Sequence, residues 1–143
     1  MQKNKQMYSE EIRAPMRAEL TQVGYVELKS AEEVDALLAK KEGTVLIIVN
    51  SVCGCAAGNA RPAAKMATQF EVKPTVFATV FAGQDTQATA KAREFMAPYP
   101  PSSPSIALFK DGKIVHMIER HHIEGRSADM IAENLKGTFK EFC

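Results

Sequence analysis

The run Thr44-Val45-Leu46-Ile47-Ile48-Val49 sets the tightest limit on what this chain can become. It is β-branched and aliphatic throughout, without alternation, so a strand made from it must be covered on both faces. A sheet with one wet face does not satisfy that demand; a sheet flanked by helices does. The same run, Val45 to Val49, is far shorter than the ~20 apolar residues a bilayer crossing requires.

The flanking patterns supply the helices. Tyr8, Ile12, Met16, Leu20 and Val23 recur at spacings of four and three, an amphipathic helix ended by Gly24, with Pro15 expected to break or kink it. Ser30 and Glu33 form a capping-box pattern that opens a second helix, buried through Val34, Leu37 and Leu38 and stopped by Gly43. After the apolar run comes Cys53-Gly54-Cys55. The small residues Ala56 to Ala60 then lead into a helix expected to reach about Phe70, with Pro62 in its first turn or at a kink. Thr75 to Phe81 reads as a strand with Phe77 and Phe81 in the core. Asp85 is placed to cap a helix whose inner face is Ala88, Ala92, Phe95 and Met96.

Pro98 to Pro104 must be a loop. Ser105 to Phe109 and Lys113 to Ile118 then form a hairpin across Asp111-Gly112. A last helix begins near Ser127, with Ile131, Leu135, Phe139 and Phe142 on one stripe. Alternating strands and helices followed by a hairpin imply an α/β chain with a mixed central sheet. A single domain over 1–143 is expected, with an N-terminal helical extension at about 6–42 and a core at about 44–142.

Composition narrows the function. The 143 residues are 45% hydrophobic and 24% charged with a net charge of +1, enough apolar material for a core without staples. The basic residues are scattered, which argues against nucleic-acid or membrane partners. Met1 to Lys5 is polar and lacks a secretory apolar stretch, so the cytoplasm is the expected location. Three cysteines cannot pair completely. In a reducing compartment, two of them one residue apart suggest catalysis, redox sensing or metal binding.

The element order puts Cys53 and Cys55 where a central strand hands over to a helix, the position at which open α/β sheets carry active sites. Unpaired N–H groups and the positive end of the helix dipole favour a thiolate there. Cys53, nearest the turn, is the expected nucleophile, and Cys55, further into the helix, the resolving thiol. Gly54 permits the contortion that closure across one residue demands. So small a ring should be strained and easily reduced. The rival reading is a metal or iron–sulfur carrier using both cysteines with Cys143 or a histidine, although zinc sites usually space their cysteines more widely and need four ligands. Cys143 reads as a mobile surface thiol or a participant in recycling. His121 and His122 read as loop histidines that can move protons or simply face solvent, and His116 as a surface or half-buried strand residue.

The element order, the cysteine pair before the first core helix and Ser103-Pro104 before the hairpin together resemble the thioredoxin fold. That resemblance implies a three-layer thioredoxin-like architecture and a cis-proline at Pro104 facing the cysteines. The usual Cys-X-X-Cys is one residue shorter here. A narrower resemblance covers nearly the whole chain: Asn50 to Gly58 around the cysteines, Ala60-Arg61-Pro62-Ala63, Val80 to Asp85, Ser102 to Ser105, Arg120 to Gly125 and the terminal Cys143 are similar to the bacilliredoxin family. It implies a thiol–disulfide oxidoreductase that removes bacillithiol from cysteines of other proteins, with disulfide isomerase activity as the alternative. It further implies S-bacillithiolated or disulfide-containing proteins as partners, bacillithiol as thiol substrate, and no metal or resident cofactor. Ser103 and Pro104 would line the substrate groove, a cis bond there offering a backbone edge to an extended segment. Arg61 would support the thiolate or bind acidic groups of the thiol, or else be an ordinary exposed arginine.

Overall fold

The computed structural model describes residues 10–39, 43–51 and 54–143, with side chains for 14–39, 43–51 and 58–143. Its elements are α1 (Glu10–Thr21), β1 (Val26–Glu27), α2 (Ala31–Leu38), β2 (Thr44–Asn50), α3 (Gly54–Ala67), β3 (Val76–Phe81), α4 (Thr86–Phe95), β4 (Ser105–Lys110), β5 (Lys113–Ile118), α5 (Arg120–Ile123) and α6 (Ala128–Phe142). The strands form one sheet in the order β1-β3-β2-β4-β5. β1, β3 and β2 run parallel, β4 is antiparallel to β2, and β5 antiparallel to β4.

Every residue of β2 is buried, and its side chains divide by parity. Leu46 and Ile48 join Ile106 and Leu108 beneath α3 and α6, where Ala60, Ala63, Ala64 and Ala67 let α3 lie close. Val45, Ile47 and Val49 join Ala78, Val80 and Phe109 beneath α2 and α4, against Val34, Leu38, Ala88 and Ala92. The continuous apolar run therefore becomes the middle of three layers, and a one-residue slip would send each side chain to the wrong face. Because β5 runs parallel to β2, one edge of the sheet collects the carboxyl ends of β2, β3 and β5 with the amino end of β4.

Several local expectations hold. Ser30 accepts from the Glu33 N–H at 3.1 Å, while Glu33 accepts from the Lys29 N–H. Gly24, at φ +104°, ends α1, and the Tyr25 N–H bonds back to the Leu20 carbonyl at 3.1 Å. Asp111 and Gly112, at φ 54° and 83°, make the hairpin turn. Phe81 is buried, and Phe77 packs against the core partly covered.

Other expectations need correction. Pro15 lies exposed within α1, which runs on to Thr21, while Tyr8 falls outside the described residues. Pro62 is deep inside α3, which ends at Ala67, short of Phe70. Val26–Glu27 adds an edge strand between the first two helices, inside an extension expected to be helical, and Arg120–Ile123 forms a short helix where a loop was expected. Asp85 stands at the N-cap of α4 but makes no side-chain cap bond there. Its carboxylate is drawn instead to Arg17, at 2.9 and 3.1 Å.

Candidate active site

β2 ends at Asn50, Ser51 follows, and Gly54 and Cys55 are the first two residues of α3. Cys53 lies outside the described residues. The strand-to-helix handover expected from the sequence is therefore present, and the leading N–H groups of a 14-residue helix lie at the motif. In the pairing of β2 with β4, Val49 stands opposite Ser105, which sets Pro104 beside the end of β2. The Ser103-Pro104 peptide is cis, as the resemblance implies, and Pro104 is buried. A second cis peptide, Ala97-Pro98, begins the same proline-rich loop.

Beneath the motif lies a polar network that sequence reasoning left open. Arg61 is only 9% exposed, which removes the reading of a solvent-facing arginine. Its guanidinium donates to the Ser51 carbonyl at 2.7 Å, to the Asn50 side-chain oxygen at 3.1 Å and to Glu19 of α1 at 2.7 Å. Asn50 in turn donates to the Met16 carbonyl at 3.3 Å and accepts from the Ser51 N–H at 2.8 Å. The chain thus approaches the motif with the Ser51 carbonyl, two residues before Cys53, held by a buried cation. A polar residue closing an apolar run was the one available signal for Asn50; the partners of Arg61 had none.

The loop opposite is also tied down. Arg120 donates from its guanidinium to the Ser103 carbonyl at 2.8 Å and from its backbone to Ser102 Oγ at 3.3 Å. The Ser102 carbonyl accepts from Ser105 Oγ at 3.1 Å and from Arg93 at 3.4 Å. Burial pulls the Arg93 guanidinium below its ordinary range. Within α5, Glu119 and His122 hold each other in a reciprocal cap. They and His121 gather their donor atoms within 4.8 Å of one another, but two of the three are committed to that cap. His116 is half-buried and bonded to Asn134 at 2.9 Å.

Cys143 does not join the motif. It closes α6, its N–H bonded to the Phe139 carbonyl at 2.7 Å, and its thiol bonds Thr44 at the amino end of β2, the end away from Gly54. Cys143 is exposed, in keeping with the expected surface thiol, on a backbone tied to the end of α6. The length of β2 removes Cys143 of the same chain as a partner for Cys53 and Cys55 in recycling or metal ligation. Burial pushes the thiol up, against the smaller opposing pull of Thr44 and Lys110.

The profile of a family described as disulphide isomerase matches residues 8–143. A bacilliredoxin of Cytophaga hutchinsonii is 56% identical over 135 residues, covering 94% of this chain and 99% of that protein. Another, from Halalkalibacterium halodurans, is 53% identical over 127 residues, covering 89% of this chain and 87% of its own. Among solved structures, Fasciola hepatica thioredoxin superposes with a TM-score of 0.59 at 19% identity, covering 82% of this chain and 99% of its own. Mitochondrial thioredoxin 3 of Saccharomyces cerevisiae gives 0.59 at 16% identity, covering 86% and 98%. The fold is thioredoxin-like.

Proposed function

This chain belongs to the bacilliredoxin family, and from that premise we propose that it removes bacillithiol from S-bacillithiolated protein cysteines, with Cys53 as nucleophile and Cys55 as resolving thiol. The family and the thioredoxin fold support a thiol–disulfide oxidoreductase role. The observation that supports the cysteine roles is the start of α3 at Gly54, four residues beyond the end of β2 and on the sheet edge that carries cis-Pro104, while the choice of bacillithiol rests on the family. A thiolate on Cys53 would attack the mixed disulfide. A sulfur–sulfur bond to bacillithiol forms as the client cysteine leaves as a thiolate. Cys55 then attacks Cys53, releasing bacillithiol as a thiolate and leaving a Cys53–Cys55 disulfide. Bacillithiol enters as a substrate and not as a resident cofactor, and the reaction is placed in the cytoplasm. Among the described residues no helix is long and apolar enough to cross a membrane.

A second reading, a broad-specificity disulfide isomerase, is favoured by the description of the matching family. A metal or cluster carrier loses Cys143 as a ligand in the same chain, because that thiol sits at the wrong end of β2.

A bacillithiolated client protein tests the proposal against Cys53→Ser, Cys55→Ser and Cys143→Ser. Loss of release in Cys53→Ser, with full activity in Cys143→Ser, is expected. Full activity in Cys53→Ser would overturn the assignment. Regain of native disulfides in a scrambled substrate, without release of bacillithiol from the client, would transfer the conclusion to the isomerase.

A further inference from the structure

An extended peptide binds along an open backbone edge by exchanging N–H and carbonyl groups with it. The edge that cis-Pro104 presents carries charged donors on its carbonyls in this chain. The Ser103 carbonyl is held by the Arg120 guanidinium at 2.8 Å, and the Ser102 carbonyl by Ser105 and Arg93 at 3.1 and 3.4 Å. Arg120 is itself fixed three ways: its backbone N–H is on Ser102 Oγ, its Nε is on Glu124 at 2.9 Å, and it begins α5, which packs against α3. A charged donor holds a carbonyl more strongly than a peptide N–H does. A carbonyl oxygen has two lone pairs, so a peptide N–H seeking the Ser103 acceptor shares it with a guanidinium whose charge already draws on it.

We propose that Arg120 is a specificity-determining residue that disfavours extended peptide disulfides by competing for the Ser103 carbonyl, leaving small-thiol disulfides, which need no backbone acceptor, as preferred substrates. This rests on the thiol–disulfide reading above and narrows it. A residue acting here is legible only in three dimensions. Arg120 is 17 positions from Ser103, and in the sequence it is one basic residue beside two histidines.

The test uses reduced full-length protein in single-turnover exchange. Native protein, Arg120→Ala and Arg120→Lys are each mixed with an extended peptide carrying a disulfide and with cystamine, a small disulfide without a backbone. A bacillithiolated protein is run alongside as the third substrate. Arg120→Ala is expected to raise the peptide-to-cystamine rate ratio about fivefold, within the range that one added backbone hydrogen bond confers. Arg120→Lys, which keeps a charged donor, should stay near the native ratio. Loosening of α5 alone would move both rates together, so an unchanged ratio in Arg120→Ala overturns the proposal. Exchange with cystamine but not with the bacillithiolated protein would overturn the bacillithiol reading and leave the Arg120 ratio to be judged separately. No exchange with any substrate would overturn both.

Discussion

At its carboxyl end β2 runs into the first turn of α3, where the backbone of Cys55 lies among helix N–H groups and a buried arginine holds the preceding Ser51 carbonyl. At its amino end, about 20 Å away along seven residues, Thr44 meets Cys143 on the last turn of α6. One end places a cysteine at the positive pole of a helix and the other at the negative pole. The first setting favours a thiolate and the second opposes it. The burial that pushes Cys143 up acts in the same direction as its helix end. The chemistry of a cysteine in this chain is thus decided by which end of one strand it occupies.

Cutting the shared middle of β2 should do the greatest damage. Ile48 is fully buried, and Ile48→Ala should cost about 3–4 kcal/mol in urea unfolding, as large-to-small changes in packed cores do. A loss under about 1 kcal/mol would mean the strand is not the common support of both ends. Next is the motif end alone. Arg61→Met leaves Ser51, Asn50 and Glu19 without their common donor, and should cost about 2–3 kcal/mol, moderated because Glu19 is partly exposed. The same variant in a Cys55→Ser, Cys143→Ser background should move the pH–rate profile for alkylation of Cys53 to higher pH, because the guanidinium on the Ser51 carbonyl, two residues before it, is a positive charge that favours the thiolate. Arg61→Lys should recover part of that shift. An unmoved profile would confine Arg61 to structural support.

The far end should be nearly silent. Cys143→Ser should change stability by less than about 0.5 kcal/mol, as exposed substitutions do. In the native protein, alkylation of Cys143 should reach its midpoint above ~8.5, the value of a free cysteine. The sign for stability follows. A thiol whose folded pKa is raised favours folding fully below its unfolded pKa, and that contribution fades as the pH rises through the folded value. A midpoint below that of free cysteine would erase the contrast between the ends.

Much of this frame was readable because its causes are local. The β2 run, the Ser30–Glu33 cap and the Asp111-Gly112 turn each depend on residues within a few positions of one another. Cys-Gly-Cys at a strand-to-helix handover was readable for the same reason, and the resemblance supplied cis-Pro104. What escaped depends on partners far along the chain. Asp85 suits a helix cap by its type, but Arg17, 68 positions away, claims its carboxylate. Arg61 looks like any arginine on an alanine-rich helix until Glu19 and Asn50 are folded against it. β1 spans two residues and α5 four, too short for either period to register.

Arg17 stands at 2.9 Å from both Glu27 and Asp85, with its guanidinium 4.9 Å from the centre of the Phe81 ring. Burial opposes its charge, but the two carboxylates outweigh that and hold it more firmly cationic than a free arginine. Glu27 belongs to the edge strand and Asp85 to the start of α4, so this one side chain ties the N-terminal helix and its neighbouring strand to an element 68 positions further along. With so little of the cluster open to solvent, added salt has a poor grip on it. Its weak point is of another kind. Without the arginine, two acids stand face to face, and a joint that had drawn the N-terminal helix in becomes one that drives its neighbours apart.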